Sequence, residues 1–507
     1  MSDTAMNPSC PGAVLQRDES EPARRKIDAS NAPGASFFDD QRCMRYEPID
    51  PQLFIGNRAR LGQLLMPNSL VVVNANDVPL TNADGTLALP VNSDLFYLTG
   101  IEQEQTILLL YPDADDEKHR AVLFLREPTD EMEIWEGRKL TRETARAISG
   151  VQDVLWLSEF PRLFHRLMCE CEHVCLNSNE HKRAVIEVES REARFVADVR
   201  RRYPLHDYKR LAPLMHGLRA VKSEVELQLI RRACGLTEDG FRRVLGFTRP
   251  GVREMEIEAE FAHEFIRQGS SFAYLPIIAA GASACCLHYV ANSAVCRKGE
   301  LLLLDVAASY AHYNADMTRT IPVGGRFSRR QKQVYGAVLR VLRQCAAGLV
   351  PGKKPKDWQK EAEQIMEEEL VDLGLLSVSQ IKKQSADKPA FKRYFMHGVG
   401  HPLGLDVHDV GITTQPMQAG WVMTVEPGIY IREEGFAVRL ENDFLVTEQG
   451  PIDLMAGIPI EPAEIEGLMA KGANGRSGRN GKNGRAGRTQ NPGIRAQSQR
   501  TPALGRG

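Results

Sequence analysis

Two pairs of carboxylates, each set between apolar β-prone runs, constrain the fold more than any other feature of the sequence. The first pair, Asp305 and Asp316, lies between the apolar run 301–304 and the β-prone run 318–323. If these runs form a hairpin that turns near Tyr310–Ala311, the two aspartates lie opposite each other, with Cβ atoms about 5 Å apart. Facing carboxylates in an apolar sheet repel each other and lose their hydration, and a divalent cation relieves both costs.

The second pair, Glu426 and Glu441, has the same arrangement closer to the C-terminus. Two β-prone runs flank a polar turn around Glu433–Gly435, and the two glutamates are equidistant from that turn. Pro427 predicts a bulge or an edge in the first run, because proline cannot donate a hydrogen bond to a sheet ladder. A second hairpin would therefore also place two carboxylates face to face in apolar surroundings.

A histidine-rich segment, MHGVGHPLGLDVHDVG at 396–411, lies between the two predicted hairpins. It contains His397, His401 and His408, while His288 precedes the first hairpin as a fourth candidate. The glycines of this segment suit a backbone that approaches other groups closely. Four carboxylates and one imidazole exceed what one ion needs, and they suit two ions that share bridging carboxylates. Oxygen-rich ligation with one nitrogen favours Mn²⁺, with Co²⁺ or Zn²⁺ as alternatives, and amide hydrolysis is the natural chemistry.

Each of these residues alone gives weak support for a metal site. An aspartate at a strand end usually forms a turn or a helix cap, and a lone histidine is usually a satisfied polar group. His312, in the turn of the first hairpin, is interpreted in that way as a solvated polar residue. The metal hypothesis depends on the conjunction of four carboxylates in two matched hairpins.

The sequence pattern divides the chain into four segments: a leader at 1–45, an N-terminal α/β domain at 46–215, a larger domain at 216–470 and a basic tail at 471–507. The leader lacks periodicity and is predicted to be mobile. The second segment alternates short apolar runs with helical patterns, which is typical of an α/β domain. A capping box formed by Ser223 and Glu226 begins a long amphipathic helix in the third. The Gly/Arg-rich tail is predicted to be disordered.

Charge is distributed unevenly between the tail and the rest of the chain. The formal net charge is −2, but residues 471–507 carry nine basic residues and no acid, so the other residues carry −11. This excludes a strongly basic nucleic-acid-binding body, and only the tail could bind nucleic acid, weakly. Ten cysteines are too few for a disulfide scaffold and indicate a reducing, cytoplasmic location. Neither a membrane span nor a secretory signal is expected, because the sequence lacks apolar runs of the required length.

The motifs resemble those of a known family, the pita-bread metallopeptidases, which include aminopeptidase P, prolidase, methionine aminopeptidase and creatinase. NSDLFYLTG at 92–100 is similar to a landmark of the aminopeptidase P N-terminal domain. LLLDVAASYAHYNADMTRT, FMHGVGHPLGLDVHDVG, TVEPGIYI and VRLEND are similar, in order, to the metal-site motifs. The resemblance covers most of residues 46–470. It implies an α/β domain followed by an α+β pita-bread catalytic domain, with a curved, mostly antiparallel sheet covered by helices.

The resemblance also implies five metal ligands for two divalent ions. Asp305 would hold one ion, while His401 and Glu426 would hold the other. Asp316 and Glu441 would bridge the two. A metal-bridging hydroxide would attack the scissile carbonyl, with Glu426 acting as general base and passing a proton to the leaving nitrogen.

Four further residues match positions outside the ligand set of the family. His288, His397 and His408 would bind substrate and stabilise the tetrahedral intermediate. Arg439 would line the site, and the alternative for it is a structural ion pair with a neighbouring acid.

The reaction implied by the resemblance is release of the N-terminal residue from peptides with proline in second position. A prolidase that accepts only Xaa-Pro dipeptides is the alternative, and a non-catalytic pita-bread binding protein that acts through its tail is a more distant one. The N-terminal motif favours the aminopeptidase, and the complete ligand set argues against the binding protein. By analogy with the family, we expect a homo-oligomer.

Overall fold

The computed structural model describes residues 45–88, 91–184, 187–385, 387–411 and 414–480, with the backbone alone for 472–480. The described residues belong to one compact unit. The predictions for residues 1–44 and 481–507, which include the leader and most of the basic tail, concern residues outside these ranges. Within them, no helix has the length and apolar character needed to cross a membrane.

The N-terminal part is built on one mixed sheet. Its strands are β1 (Ser69–Asn74), β2 (Ile107–Leu110), β3 (Ala121–Leu125), β4 (Asp153–Trp156), β5 (His173–Leu176) and β6 (Asp207–Arg210). They lie in the order β4-β3-β2-β1-β5-β6, with β1, β2 and β3 antiparallel and the other pairs parallel. The accompanying helices are α1 (Gln52–Leu64), α2 (Ser93–Thr99), α3 (Asp130–Glu136), α4 (Arg142–Ser149), α5 (Phe160–Met168) and α6 (Arg191–Arg202). The α/β class predicted for this part is confirmed.

The C-terminal part pairs its strands antiparallel and covers them with helices. After the connecting helix α7 (Ala212–Ala220), its helices are α8 (Glu224–Phe247), α9 (Glu254–Arg267), α10 (Arg329–Ala347), α11 (Pro355–Asp372), α12 (Val378–Lys383) and α13 (Pro462–Asn480). Its strands are β7 (Ser271–Phe272), β8 (Ile277–Ala280), β9 (Leu301–Asp305), β10 (Ala308–Tyr310), β11 (Tyr313–Asn314), β12 (Thr318–Pro322), β13 (Val422–Val425), β14 (Gly428–Ile431), β15 (Phe436–Arg439), β16 (Asn442–Leu445) and β17 (Ile452–Asp453). Helices α8 and α9 pack against β7, β8, β10 and β11, and α10 packs against β13, β14 and β15. This is the expected pita-bread architecture.

Local signals explain where the elements of this part begin and end. Helix α8 begins at the predicted capping box, because Ser223 Oγ accepts a hydrogen bond from the Glu226 amide and Glu226 accepts one from the Ser223 amide. Tyr97 of α2, Met215 of α7 and Leu227 of α8 belong to one continuous apolar core, which therefore includes both parts of the chain. Helix α13 extends past residue 470, where the sequence pattern places the end of the catalytic domain.

The register predicted for the first hairpin is wrong by two residues. Asp305 pairs with Thr318 rather than with Asp316. The turn is formed by Ala311 and His312, which both have positive φ (49° and 65°), so the hairpin is centred one position later than predicted. A shift of two residues keeps both aspartates on the same face of the sheet, where they are diagonal neighbours.

The register predicted for the second hairpin is confirmed. Val425 pairs with Asn442, and Gly428 pairs with Arg439. The same register places Glu426 opposite Glu441, although regular strand pairing is interrupted there by Pro427, as expected for proline.

Candidate metal centre

All nine residues predicted for the site line one cleft of about 420 Å³: His288, Asp305, Asp316, His397, His401, His408, Glu426, Arg439 and Glu441. His288 is exposed at this cleft, whereas the carboxylates are buried or nearly so. The two hairpins and the histidine-rich segment therefore converge, although the chain separates them by up to 153 residues between His288 and Glu441.

Three buried residues, Asp316, His401 and Glu441, form the centre of this cluster. Each offers a ligand atom, and these atoms all lie within 4.8 Å of one another. His401 Nε2 is 3.4 Å from Asp316 Oδ2 and 3.8 Å from Glu426 Oε1. The other ring nitrogen, Nδ1, is 2.9 Å from the Pro402 carbonyl oxygen, which accepts its proton. This hydrogen bond leaves Nε2 facing the carboxylates, the arrangement typical of a metal-binding histidine.

Backbone pairing between the hairpins places the carboxylates. The Glu441 amide donates to the Thr318 carbonyl at 3.0 Å, which joins the second hairpin to the edge of the first. The Thr318 hydroxyl donates to Glu441 Oε2 at 2.7 Å and accepts from Arg439 Nε at 3.1 Å. One threonine thus fixes both the backbone and the side chain of Glu441.

The histidine-rich segment runs beside the strand that ends at Glu426. The Thr424 amide donates to the His401 carbonyl at 2.9 Å, and the Glu426 amide donates to the Val399 carbonyl at 2.8 Å. A Cβ added at Gly400 would lie 2.0 Å from the Thr424 carbonyl oxygen. The close backbone approach predicted from the glycines therefore occurs at Gly400.

Arg439 lines the cleft and also forms an ion pair with a neighbouring acid, Asp305. Its Nη2 donates to Asp305 Oδ2, and its Nη1 donates to the Tyr430 hydroxyl at 2.9 Å. The Tyr430 hydroxyl lies 2.8 Å from His397 Nε2, while His397 Nδ1 lies 2.7 Å from the Gly398 carbonyl oxygen. Arg439 therefore orients one carboxylate directly and one imidazole through Tyr430.

The acids of the cleft have perturbed proton affinities. Burial raises the pKa of Asp305, although Arg439 opposes the rise, and burial together with the charge of Asp316 raises that of Glu441 well above its usual range. Burial is also the main cause that brings the pKa of Glu426 to about 7. Burial alone would lower the pKa of His401, but Asp316 and Glu426 raise it to about 9. This excess of negative charge in a buried site, with oxygen donors in the majority, fits divalent cations.

Three residues near the site were not predicted from the sequence. Asp443 is fully buried, and its Oδ2 accepts a hydrogen bond from the Asp316 amide at 3.1 Å. Its position in the apolar run LENDFLV could have identified it. Tyr274 and Arg183 also line the cleft, and Arg183 Nη1 lies 2.8 Å from His408 Nδ1. Arg183 belongs to the N-terminal part, and nothing in its local sequence indicates this contact.

His312 is not the solvated residue that the sequence suggested. Its Nε2 lies 2.8 Å from Glu102 Oε1, and its ring packs against Phe96 with centroids 4.6 Å apart. The turn of the first hairpin therefore contacts the N-terminal part of the chain.

Comparison with known proteins gives two family matches. Residues 228–448 match the model of metallopeptidase family M24, and residues 54–175 match that of the aminopeptidase P N-terminal domain. The chain is 33% identical to the Xaa-Pro aminopeptidase of Escherichia coli (strain K12) over 440 residues, which cover 83% of this chain and 98% of the relative. It is 31% identical to Xaa-Pro aminopeptidase 3 of Homo sapiens over 413 residues, which cover 79% of each.

Solved structures agree with these matches. Zn-substituted E. coli aminopeptidase P in complex with product has a TM-score of 0.74 and 32% identity, over 84% of this chain and 99% of the other. The same enzyme with the inhibitor Pro-Leu also has a TM-score of 0.74, over 84% and 100%. The resemblance inferred from the motifs is confirmed. This chain belongs to metallopeptidase family M24 and, within it, to the proteins that carry the aminopeptidase P N-terminal domain.

Proposed function

We propose that this protein is a metal-dependent aminopeptidase that releases the N-terminal residue from peptides with proline in second position. The observation that carries the proposal is the convergence of five donor side chains in one cleft: Asp305, Asp316, His401, Glu426 and Glu441. The curated relatives that match this chain over nearly their whole length are named Xaa-Pro aminopeptidases, which supports the substrate class.

We propose the same five residues as ligands of two divalent ions. Asp305 would hold one ion, His401 and Glu426 the other, and Asp316 and Glu441 would lie between them. Oxygen donors with a single imidazole favour Mn²⁺, and a Zn-substituted relative indicates that such sites accept other ions. When bound, the ions would polarise the scissile carbonyl and supply a nucleophile at neutral pH.

The side chains around the ions would bind substrate and move protons. Glu426, which lies 3.8 Å from His401 Nε2 in the cleft, would take a proton from the nucleophile and pass it to the leaving nitrogen. His397, held by Gly398 and Tyr430, and His408, beside Arg183, would orient the peptide and stabilise charge on the reacting carbonyl. His288 is exposed at the cleft and would contact substrate there. Proline has a rigid ring and no amide proton, so extended-backbone recognition fails and a shaped cleft must hold it.

The alternatives made from the sequence are less well supported. A prolidase would accept only dipeptides, and the relatives that match nearly end to end are not named as dipeptidases. A non-catalytic binding protein would be expected to have lost ligands, whereas all five donors are present and brought together.

The experiment compares three peptides with the purified full-length chain and Mn²⁺. We expect release of alanine from Ala-Pro-Ala, and little turnover of Ala-Ala-Ala, which serves as the matched control without proline. Hydrolysis of the dipeptide Ala-Pro but not of Ala-Pro-Ala would show a prolidase instead. Turnover of neither proline peptide, in a preparation that holds stoichiometric metal by elemental analysis, would refute the proposal.

We also propose a cytoplasmic location and a homo-oligomeric state. The location is supported by the eight described cysteines, which are all free thiols. The oligomeric state follows by analogy with the family, and light scattering of the purified protein tests it.

A further inference from the structure

A buried group of charges joins the N-terminal part of the chain to the segment that carries His408. We propose that Arg219 is a positioning residue: it holds residues 406–409 in place and so sets the position of His408 in the cleft. The inference rests on the proposed function for the role of His408, but the placement of the segment can be tested without activity.

Arg219 lies on α7, between the two parts, and contacts carboxylates from both. Its Nη1 donates to Asp94 Oδ1 at 2.8 Å, and Asp94 lies on α2 in the N-terminal part. Its Nη2 donates to Asp406 Oδ2 at 2.6 Å and to Asp409 Oδ1 at 2.5 Å. These two aspartates flank His408 in the sequence, so one guanidinium holds both ends of the short segment that carries it.

Other contacts complete the same group. The Ser93 hydroxyl donates to Asp406 Oδ1 at 2.8 Å, so α2 contributes a second hydrogen bond to the segment. Lys222 Nζ donates to Asp409 Oδ2 at 3.1 Å and to the Arg219 carbonyl at 2.7 Å. A Cβ at Gly404 would lie 2.2 Å from Asp409 Oδ2, so the backbone also closes around this carboxylate.

The two halves of the histidine-rich segment at 396–411 are held in different ways. Its first half is bound to the sheet by backbone hydrogen bonds, from the Thr424 amide to the His401 carbonyl and from the Leu403 amide to the Val422 carbonyl. Residues 406–409, in its second half, have one backbone hydrogen bond to the first half, from the Asp409 amide to the Pro402 carbonyl at 2.9 Å. Their contacts with other elements are made by side chains: Asp406 and Asp409 accept from Arg219, and His408 contacts Arg183. The ring of His408 lies 4.0 Å from that of His401, between centroids, so a displacement of the second half would alter the cleft directly.

Burial makes the ion pair between Arg219 and Asp409 sensitive to substitution. Arg219 is 4% exposed and the side chain of Asp409 is 1% exposed, so neither has water as an alternative partner. Loss of one partner from a buried charge pair is more damaging than the absence of both. Lysine at position 219 retains the charge but offers a single ammonium in place of a planar fork, and it cannot hold three carboxylates in this geometry.

The experiment uses Arg219→Lys in the full-length chain, with Arg330→Lys as the matched control, because Arg330 pairs with Glu434 away from the cleft. Hydrogen exchange is followed in peptides that cover 403–411. We expect exchange there to be at least tenfold faster in Arg219→Lys and unchanged in Arg330→Lys. Asp94→Asn, which is less disruptive, should give a smaller change in the same peptides. Unchanged exchange in both Arg219→Lys and Asp94→Asn would overturn the proposal.

A double-mutant cycle then tests whether Arg219 acts through His408. With Ala-Pro-Ala as substrate, Arg219→Lys should lower kcat/KM by about 10-fold to 100-fold, the range expected for a displaced substrate-orienting group. In the His408→Ala background the same substitution should change kcat/KM by less than threefold. An equal loss in both backgrounds would overturn the positioning role, because a general loss of structure does not depend on His408. If the wild-type chain has no Xaa-Pro aminopeptidase activity, the proposed function is refuted. The hydrogen-exchange comparison then remains the test of the positioning role of Arg219.

Discussion

Asp316→Asn should abolish catalysis and yet stabilise the metal-free protein. Asp316 lies within 4.8 Å of ligand atoms of His401 and Glu441, and its charge contributes to the raised pKa of Glu441. Asparagine retains the shape of the side chain and removes its charge. The substitution therefore takes away a proposed shared ligand. Asp316 also attracts protonated His401, but its charge raises the pKa of four buried acids, Asp305, Glu426, Glu441 and Asp443, so the substitution removes more repulsion than attraction.

The size of both effects can be worked from these distances. Ligand atoms of Asp316 and Glu441 lie within 4.8 Å of each other, and two unit charges at that limit interact by about 3 kcal/mol at an effective dielectric constant of about 20. The attraction between Asp316 and His401 offsets part of this repulsion, so the metal-free variant should gain less than that amount, and the rise in Tm should be below about 3–4 °C for a chain of this length. Loss of a ligand shared by two ions should lower kcat/KM more than about 10³-fold.

The assay combines calorimetry of the chelated proteins with turnover of Ala-Pro-Ala in Mn²⁺. Asp409→Asn is the matched control, since it removes the same charge from a site where Arg219 and Lys222 need it, and it should lower Tm. A fall in Tm for chelated Asp316→Asn would show that the acids do not repel in the way argued here. Turnover close to that of the wild type would refute the shared-ligand role.

Three further predictions concern other parts of the chain. Gly400→Ala should lower activity by more than about 100-fold and should also lower Tm, because the added Cβ would collide with a backbone carbonyl. Gly56→Ala is the neutral control, since a Cβ there would meet nothing within 4 Å. Burial alone would raise the pKa of Glu102, but the contact with His312 lowers it overall, so Glu102→Gln should lower Tm near pH 7. The difference in Tm between this variant and the wild type should vanish as the pH falls below about 4, where Glu102 becomes protonated. A difference in Tm that grows in acid would contradict this. Removal of residues 481–507, which follow α13, should change kcat/KM for a short peptide less than about twofold, because the proposed ligands lie elsewhere. A tenfold loss of kcat/KM would show that the tail contributes to the site.

The two hairpins show how far the register of strands can be predicted from the sequence. The second was correct because its turn is marked by polar residues and by Gly435, which has a φ of 70°. The first was wrong because Ala311 and His312 form its turn with positive φ, and this pair lacks the glycine or asparagine that usually identifies such turns. The error did not separate Asp305 from Asp316, since a shift of two residues keeps both on the same face of the sheet.

Contacts between the two parts of the chain lay beyond prediction from the sequence. Arg183 approaches His408 across 225 positions, and His312 meets Glu102 across a similar distance. Hydrophobic periodicity assigns a residue to the face of its own element, but it does not determine which elements pack together. The predicted site residues that the structure brings into one cleft are those whose neighbours within one hairpin or one segment constrain them. Arg219 illustrates the rest, because its three carboxylate partners come from two distant regions.

Removal of divalent cations should destabilise the fold as well as stop turnover. The proposed ligands come from β9, from Asp316 just before β12, from the strands around Glu426 and Glu441, and from the segment at His401. The bridge between Thr318 and Glu441 joins the two hairpins that carry the carboxylates. An unfolded chain cannot present them together, so the ions bind the folded state preferentially and stabilise it by about 2.7 kcal/mol at 100 times Kd. Chelation should therefore lower Tm, and added Mn²⁺ should restore Tm and activity over the same concentration range. If Tm stays constant while activity is lost and regained, the cations do not join these elements, and the five side chains are held by the protein alone.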